Sequence, residues 1–126
     1  MIKKLILMAI LMTGAAFAES AVYELRTYTT PDGKLDALVA RFKNDTVRIF
    51  NKHGMESVGY FIPEDRKNTL IYILKHPSRA EAEKHWTEFQ NDPEWKKIAA
   101  QTEANGKIVD KVERVWLDPT DFSKMK

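Results

Sequence analysis

His53 combines titratable chemistry with an informative position in the sequence. Apolar residues recur at helical spacing over Lys34–His53, which predicts one long helix. The stripe consists of Leu35, Leu38, Val39, Phe42, Ile49, Phe50 and His53. An imidazole at this inward position could act as a general acid or base near neutral pH. The alternative is that His53 only caps the last helical turn, before Gly54 ends the helix in a left-handed conformation.

Arg26 is the candidate for holding an anionic ligand. It lies in Val22–Thr29, a β-branched and aromatic segment whose side chains alternate as in a strand. Alternation places Arg26 on the same face as Glu24 and Tyr28. A guanidinium group there could bind a ligand carboxylate through paired hydrogen bonds. The alternative is an ion pair with Glu24 or with an acidic residue across the sheet.

Five further aromatic residues could line a small-molecule pocket with a few polar groups. They are Tyr28, Tyr60, Tyr72, Trp86 and Trp116. The alternative is that they pack in the core and in an interface, as aromatic residues at these spacings commonly do. Periodicity cannot register one strand against another, so it leaves open which of them share a face.

Other kinds of chemistry lack support in the sequence. The chain has no cysteine, which excludes thiol catalysis, disulfides and cysteine-ligated metals. His53, His76 and His85 do not have the spacing of a metal-binding helix, and His76 is expected in a loop before Pro77. Neither a serine nucleophile elbow nor a glycine-rich phosphate loop occurs. We therefore predict no metal and no cofactor.

The first 18 residues read as a cleaved export signal. Lys3 and Lys4 precede an apolar run that ends in Ala16-Phe17-Ala18, an A-x-A cleavage site. Removing them takes two of 20 basic and none of 18 acidic residues, which leaves 18 of each in 19–126. This balance argues against a nucleic-acid partner or membrane binding after cleavage. The expected location is periplasmic or secreted.

Residues 19–126 predict a single α+β domain with element order β-α-β-β-α-α-β. The strands are Val22–Thr29, Met55–Ile62, Thr69–Leu74 and Ile108–Leu117. Ser78 and Glu81 form a capping box before the second helix, and Asp92-Pro93 starts the third. This order favours a ferredoxin-like four-stranded antiparallel sheet with helices on one face.

Such a sheet leaves its other face open. Large residues occur on both sides of several strands, so the open face is expected to be covered by a second copy of the chain. A two-fold homodimer is the commonest arrangement of this kind. The segment Thr120–Lys126 is expected to form a docked or loose arm.

Five motifs in this order resemble the NIPSNAP family over about Val22 to Ser123. They are Tyr23–Tyr28, Pro31–Lys34, Lys52–Gly54, Asp92–Trp95 and Trp116–Ser123. The resemblance implies the dimeric α/β-barrel superfamily, in which two ferredoxin-like sheets close a barrel. Related barrels include cofactor-free monooxygenases, small cyclases and haem enzymes, often with a ligand between sheet and helices.

The residues and the resemblance together favour a small aromatic or acidic metabolite as ligand, bound in a sheet–helix cleft with His53 and Arg26 polarising it. They do not define a reaction. The alternative is a non-enzymatic protein-interaction module that uses its dimer surface or the Thr120–Lys126 arm.

Overall fold

The computed structural model describes residues 21–126, which form four strands and four α-helices around one core. The elements are β1 (Val22–Thr29), α1 (Leu35–Arg41), a π-helical turn (Phe42–Thr46), α2 (Val47–Lys52), β2 (Glu56–Phe61), β3 (Thr69–His76), α3 (Arg79–Asn91), α4 (Pro93–Thr102) and β4 (Lys111–Leu117). The predicted export signal lies outside the described residues. Within 21–126, every helix is too short or too polar to cross a membrane.

The four strands form one antiparallel sheet in the order β2-β3-β1-β4. This is the ferredoxin-like topology that the element order predicted. The central strand β1 pairs with β3 and with β4, so Arg26 lies opposite Tyr72 on one side and Arg114 on the other. Because paired residues point to the same face, this register fixes which side chains meet beneath the helices.

The predicted long helix is present from Leu35 to Lys52, but a π-helical turn interrupts it at Phe42–Thr46. Within the turn, the Thr46 hydroxyl donates a 3.3 Å hydrogen bond to the backbone oxygen of Arg41. A pattern with 3.6 residues per turn does not reveal a single inserted residue. Gly54 adopts φ +76° just after the helix, as predicted.

Both predicted helix starts on the C-terminal side of the chain are confirmed. The Ser78 side chain accepts a 3.1 Å hydrogen bond from the backbone N–H of Glu81. Asp92 accepts one of 2.8 Å from the backbone N–H of Glu94, and Pro93 opens α4. These caps satisfy donors that a helix N-terminus otherwise leaves unpaired.

The core lies between the helices and the sheet face that carries Glu24, Arg26 and Tyr28. Its buried residues are Leu38, Phe42, Ile49, Phe50, Met55, Leu70, Tyr72, Leu74, Trp86, Phe89 and Ile108. Each large apolar side chain contributes about 1.5–3 kcal/mol by burial.

The structure corrects the prediction for His76. Strand β3 runs two residues beyond Leu74, and His76 pairs with Val22 at the end of the β1 ladder. The residue is fully buried rather than in a loop, because its imidazole has a carboxylate partner on β1. Strand β4 begins at Lys111, three residues later than predicted, and Ile108 before it is part of the core.

The C-terminal arm covers part of the open sheet face. Residues of the arm and of the sheet enclose a depression of about 350 Å³, lined by Tyr23, Ile73, Leu117, Asp118, Pro119, Thr120, Ser123 and Met125. Tyr23 is only 5% exposed although it points away from the helices. Lys75 on β3 donates to the backbone oxygen of Lys126. The open face is therefore partly covered by the chain itself, while Phe61 and Val115 stay half-exposed.

Candidate functional site

The predicted ligand-binding residues fall into two groups on the helix-facing side of the sheet. One group contains Tyr28, Tyr60 and Tyr72, and the other contains Arg26, Trp86 and Trp116. Arg26 lies beside both groups, because its register partner on β3 is Tyr72.

The tyrosine group is a packed cluster around the ring of Phe42. Tyr60 and Tyr72 stack with centroids 5.5 Å apart, and Tyr28 meets Tyr72 edge-on at 5.2 Å. The ring of Phe42 lies 5.2 to 5.8 Å from all three. Burial raises the pKa of Tyr72 well above its ordinary value, so Tyr72 stays protonated.

The hydroxyl groups of two tyrosines are linked. The hydroxyl of Tyr72 donates to that of Tyr28 at 2.8 Å. Because the Tyr28 oxygen accepts this bond, its own hydroxyl can donate to a second group.

The second group is organised by Glu24, whose side chain is fully buried. Its carboxylate accepts hydrogen bonds of 2.8 Å each from Arg26 Nε, His76 Nε2 and Trp86 Nε1. The guanidinium of Arg26 also lies 3.8 Å from the ring centre of Trp86. The arrangement seen for Arg26 is thus the ion pair with Glu24 that the sequence left open as an alternative.

Trp116 on β4 lies at the edge of the group organised by Glu24, because it pairs with Glu24 in the sheet. Its ring lies 5.9 Å from that of His76, and the guanidinium groups of Arg79 and Arg114 lie 4.6 and 5.0 Å from its centre. Such contacts hold cations against an aromatic face. Trp116 therefore shares a neighbourhood with Arg26, separate from the tyrosines.

Hydrogen bonding and charge decide the ionisation of this network. Burial alone would raise the pKa of Glu24, but the bonds from His76 and Trp86 and the charge of Arg26 outweigh it and lower the pKa. Burial would likewise lower the pKa of Arg26, but the nearby oxygens of Tyr28, Tyr72 and Glu24 raise it. Both groups are charged at neutral pH, and they neutralise each other.

His53 lies apart from both groups. It follows the last residue of α2, and its Nε2 is 2.7 Å from the carboxylate of Asp92 at the start of α4. Lys52 binds the same carboxylate at 2.8 Å. The bonds from Lys52 and His53 hold the pKa of Asp92 far below its usual range. The geometry thus joins two helix ends through His53, and a role in acid–base chemistry stays a prediction.

Arg41 is a candidate that the sequence reasoning missed. It ends α1, and its side chain is 5% exposed. Its Nη1 donates a 3.2 Å bond to Thr102 and lies 3.8 Å from Glu103, but its Nε has no partner among residues 21–126. Burial lowers the pKa of Arg41, against the influence of Glu103 and Tyr28. A guanidinium has five N–H donors, so Arg41 is a buried cation with few partners.

Arg41 lines a small, partly open cavity of about 40 Å³ between the sheet and the helices. The other lining residues are Tyr28, Phe42, Thr46, Phe50, Phe89 and Trp95. Trp95 lies beneath the guanidinium, 5.0 Å from its central carbon. The site thus combines one cation, one hydroxyl donor and aromatic walls, the make-up of a pocket for a small anionic group.

Phe42 also lines a second cavity, which is more open to the surface. Its volume is about 210 Å³, and its lining is Val39, Phe42, Lys43, Val47, Tyr60 and Leu70. The residues from α1, α2, β2 and β3 are almost all apolar, and Lys43 is exposed. Residues 21–126 contain no cluster of three or more acidic or histidine side chains that could hold a metal ion.

The split βαβ sheet, with its helices packed on one face, defines an α+β domain of the ferredoxin-like class. The sequence profile of the NIPSNAP family matches residues 23–124. The chain therefore belongs to the NIPSNAP family, as the motif order indicated. No curated protein is similar enough to this chain to count as a match.

Solved structures share this fold. A NIPSNAP family protein of unknown function from Agrobacterium tumefaciens superposes with a TM-score of 0.75 at 23% identity, over 86% of this chain and 96% of the other. An uncharacterised NIPSNAP-like domain protein from Burkholderia xenovorans gives 0.73 at 15%, over 83% and 90%. A putative antibiotic biosynthesis monooxygenase from Nitrosomonas europaea gives 0.60 at 10%, over 85% and 97%. At these identities the likeness shows the fold alone.

Proposed function

We propose that this NIPSNAP domain binds a small organic acid between its sheet and its helices, with Arg41 as the anchor for the acidic group. The observation that carries the proposal is a cation whose Nε lacks a partner within residues 21–126 and which lines an aromatic cavity. A buried charge is costly unless it is paired. The existing partner Glu103 lies 3.8 Å away and is 41% exposed, so a ligand carboxylate in the cavity would supply a closer and buried counterion.

The cavity has the right size for an acidic group. A single water needs about 10–15 Å³ of such volume, so 40 Å³ admits a carboxylate but not a whole metabolite. Tyr28 lines the same cavity, and its hydroxyl would donate to the second carboxylate oxygen. Arg26 is a weaker anchor than the sequence suggested, because Glu24 already occupies its Nε.

The proposal is tested by a panel of aromatic and aliphatic carboxylates, each paired with its neutral amide, on residues 19–126. Binding is measured by calorimetry and by the shift in melting temperature. We expect several acids to bind and their amides not to bind. Arg41→Lys should weaken acid binding about tenfold or more, because a lysine cannot reproduce the fork that meets a carboxylate.

Arg48→Lys is the matched control. Arg48 lies on the adjoining helix α2, its side chain is 54% exposed, and its ion pairs with Asp45 and Glu94 lie on the surface. Its replacement should leave acid binding unchanged. Equal affinity for acids and amides, or equal loss in the two arginine variants, would refute an anion site at Arg41.

The assembly of the domain forms part of the proposal. We expect a homodimer in which the open sheet faces meet, because this face keeps Phe61 and Val115 half-exposed beyond the C-terminal arm. Apolar surface of this kind favours a partner.

We also propose that residues 1–18 direct export. N-terminal sequencing of the protein isolated from its producing cell would test this by showing Glu19 as the first residue.

A protein-interaction module remains the second candidate, and one observation favours it. Phe122 in the C-terminal arm is 86% exposed, which is unusual for a large aromatic ring. If no small acid binds, and Phe122→Ala abolishes co-purification of one defined partner while leaving the dimer intact, the interaction role replaces ligand binding.

A further inference from the structure

We propose that the ligand is an acid with a slender apolar tail, whose tail occupies the 210 Å³ cavity that Phe42 also lines. This inference rests on the proposed function and names its ligand class. The cavity at Arg41 holds only the acidic group, so the rest of the ligand needs a second space. The 210 Å³ cavity can provide this space, because it is apolar and Phe42 lines both cavities.

Phe42 is the partition between the two spaces. Its side chain lines both cavities. Its ring lies 5.7 Å from that of Tyr60, which lines the apolar cavity, and 5.8 Å from that of Tyr28, which lines the cavity at Arg41. A displacement of this one ring would therefore join the anion cavity to the apolar cavity.

The position of Phe42 in the chain suits such a displacement. It is the first residue of the π-helical turn, directly after Arg41. A π-helical turn departs from the regular hydrogen-bonding ladder of the helix, and such turns are frequent at functional sites. The anion-binding residue and the partition are thus consecutive residues at the one irregular point of this helix.

The lining of the larger cavity selects against polar ligands. Val39, Val47 and Leu70 present only hydrocarbon, and Tyr60 directs its hydroxyl to Ser57 at 2.7 Å. An apolar tail placed there gains affinity by burial, whereas a polar tail would lose its hydration without hydrogen bonds in return. Lys43 is exposed, so it offers an alternative place for the carboxylate at the outer end.

The test compares butyrate, octanoate and 1-octanol on the wild type and on five variants. In the wild type, each methylene that enters the apolar cavity should tighten acid binding by up to about fourfold, so octanoate should bind much more tightly than butyrate. Phe42→Leu should raise the affinity for octanoate relative to butyrate, because a smaller side chain between the two cavities opens the path for the tail. Val47→Phe should fill the cavity and weaken octanoate selectively. Melting curves show whether each variant is folded.

Val58→Phe is the control for Val47→Phe, because Val58 is 41% exposed on β2 and outside the cavity lining. Val58→Phe should leave the affinity for octanoate unchanged. Lys43→Ala tests the orientation, and it should weaken octanoate less than Arg41→Lys does. 1-Octanol should bind weakly, and its affinity should be the same in the wild type and in Arg41→Lys.

The failures of the two proposals are distinguishable. If butyrate binds through Arg41 but octanoate binds no better, or if Val47→Phe and Val58→Phe have equal effects, the tail cavity is refuted while the anion site stands. If octanoate binding depends on Lys43 rather than on Arg41, the ligand is bound in the opposite orientation, and the proposed tail site is refuted. If no acid binds to the folded wild type, the proposed function fails and this inference fails with it.

Discussion

The carboxylate of Glu24 accepts a 2.8 Å hydrogen bond from Nε2 of His76, and neither side chain is exposed to solvent. The two residues lie on neighbouring strands, β1 and β3, on the face of the sheet that packs against the helices. Trp86 from α3 and Arg26 complete the set of donors around the same carboxylate. One buried acid therefore ties two strands and one helix together.

Glu24→Gln should destabilise the domain by about 3–5 kcal/mol, because it leaves the buried charge of Arg26 without its counterion. The glutamine amide would also face N–H donors with an N–H₂ group of its own. Urea denaturation measures the loss. Glu113→Gln is the control on the same sheet: its side chain is 44% exposed, and the change should stay within about 0.5 kcal/mol. Similar losses in both variants would contradict the role assigned to the Glu24 network.

Stability should fall as the pH is lowered below the ordinary carboxyl range. The pKa values of Glu24 and Asp92 are both lowered in the folded chain. A group of this kind stabilises the fold above its unfolded pKa of about 4, and that stabilisation is lost as the pH falls toward the folded value. Urea midpoints between pH 7 and pH 3 measure the effect, and Asp92→Asn should flatten the curve. A midpoint constant down to pH 3 would contradict the assignment.

Two glycines with the same backbone conformation should differ in their tolerance of a methyl group. A Cβ atom at Gly33, with φ +75°, would have nothing within 4 Å, whereas one at Gly54, with φ +76°, would lie 3.1 Å from the ring of His85. Gly33→Ala should cost roughly 1–2 kcal/mol for the left-handed conformation alone. Gly54→Ala should cost more, because His85 must also move. Thermal denaturation compares the two, and equal losses would show that the His85 contact adds nothing.

A charge on the open sheet face should dissociate the proposed homodimer. Val115 and Val112 lie on the same strand and are 50% and 47% exposed, but they point to opposite faces. Val115→Arg should give monomers at micromolar concentration, because the buried charge would lack a partner in the interface. Val112→Arg, on the helix-facing side, should leave the dimer intact. Light scattering after size exclusion measures both masses, and a wild-type monomer would refute the proposed assembly.

Local patterns in the sequence were sufficient for most of the fold. Ser78 and Asp92 cap their helices as predicted, and Gly54 adopts the left-handed conformation that ends α2. Such features depend on neighbours within a few positions, and a single sequence shows those neighbours directly. The π-helical turn escaped prediction because one inserted residue hardly alters the spacing of an apolar stripe.

The candidate site depended on contacts between distant positions. His76 meets Glu24 across 52 positions, and Arg41 meets Thr102 across 61. No local pattern marks Arg41 as buried, since an arginine at the end of a helix is usually solvated. The same lack of register information left the six predicted ligand-binding residues as one group, which the sheet divides into two.

The order of the amino acids was enough to establish the family, the succession of elements and the alternation of β1 that sends Glu24, Arg26 and Tyr28 to one face. Which charges are paired became visible only in the folded domain. There the Arg26 guanidinium meets a buried carboxylate, whereas Arg41 lies beside an aromatic cavity with an unpartnered Nε within 21–126. Pairing depends on strand register and helix packing, because these bring together groups that are far apart in the chain.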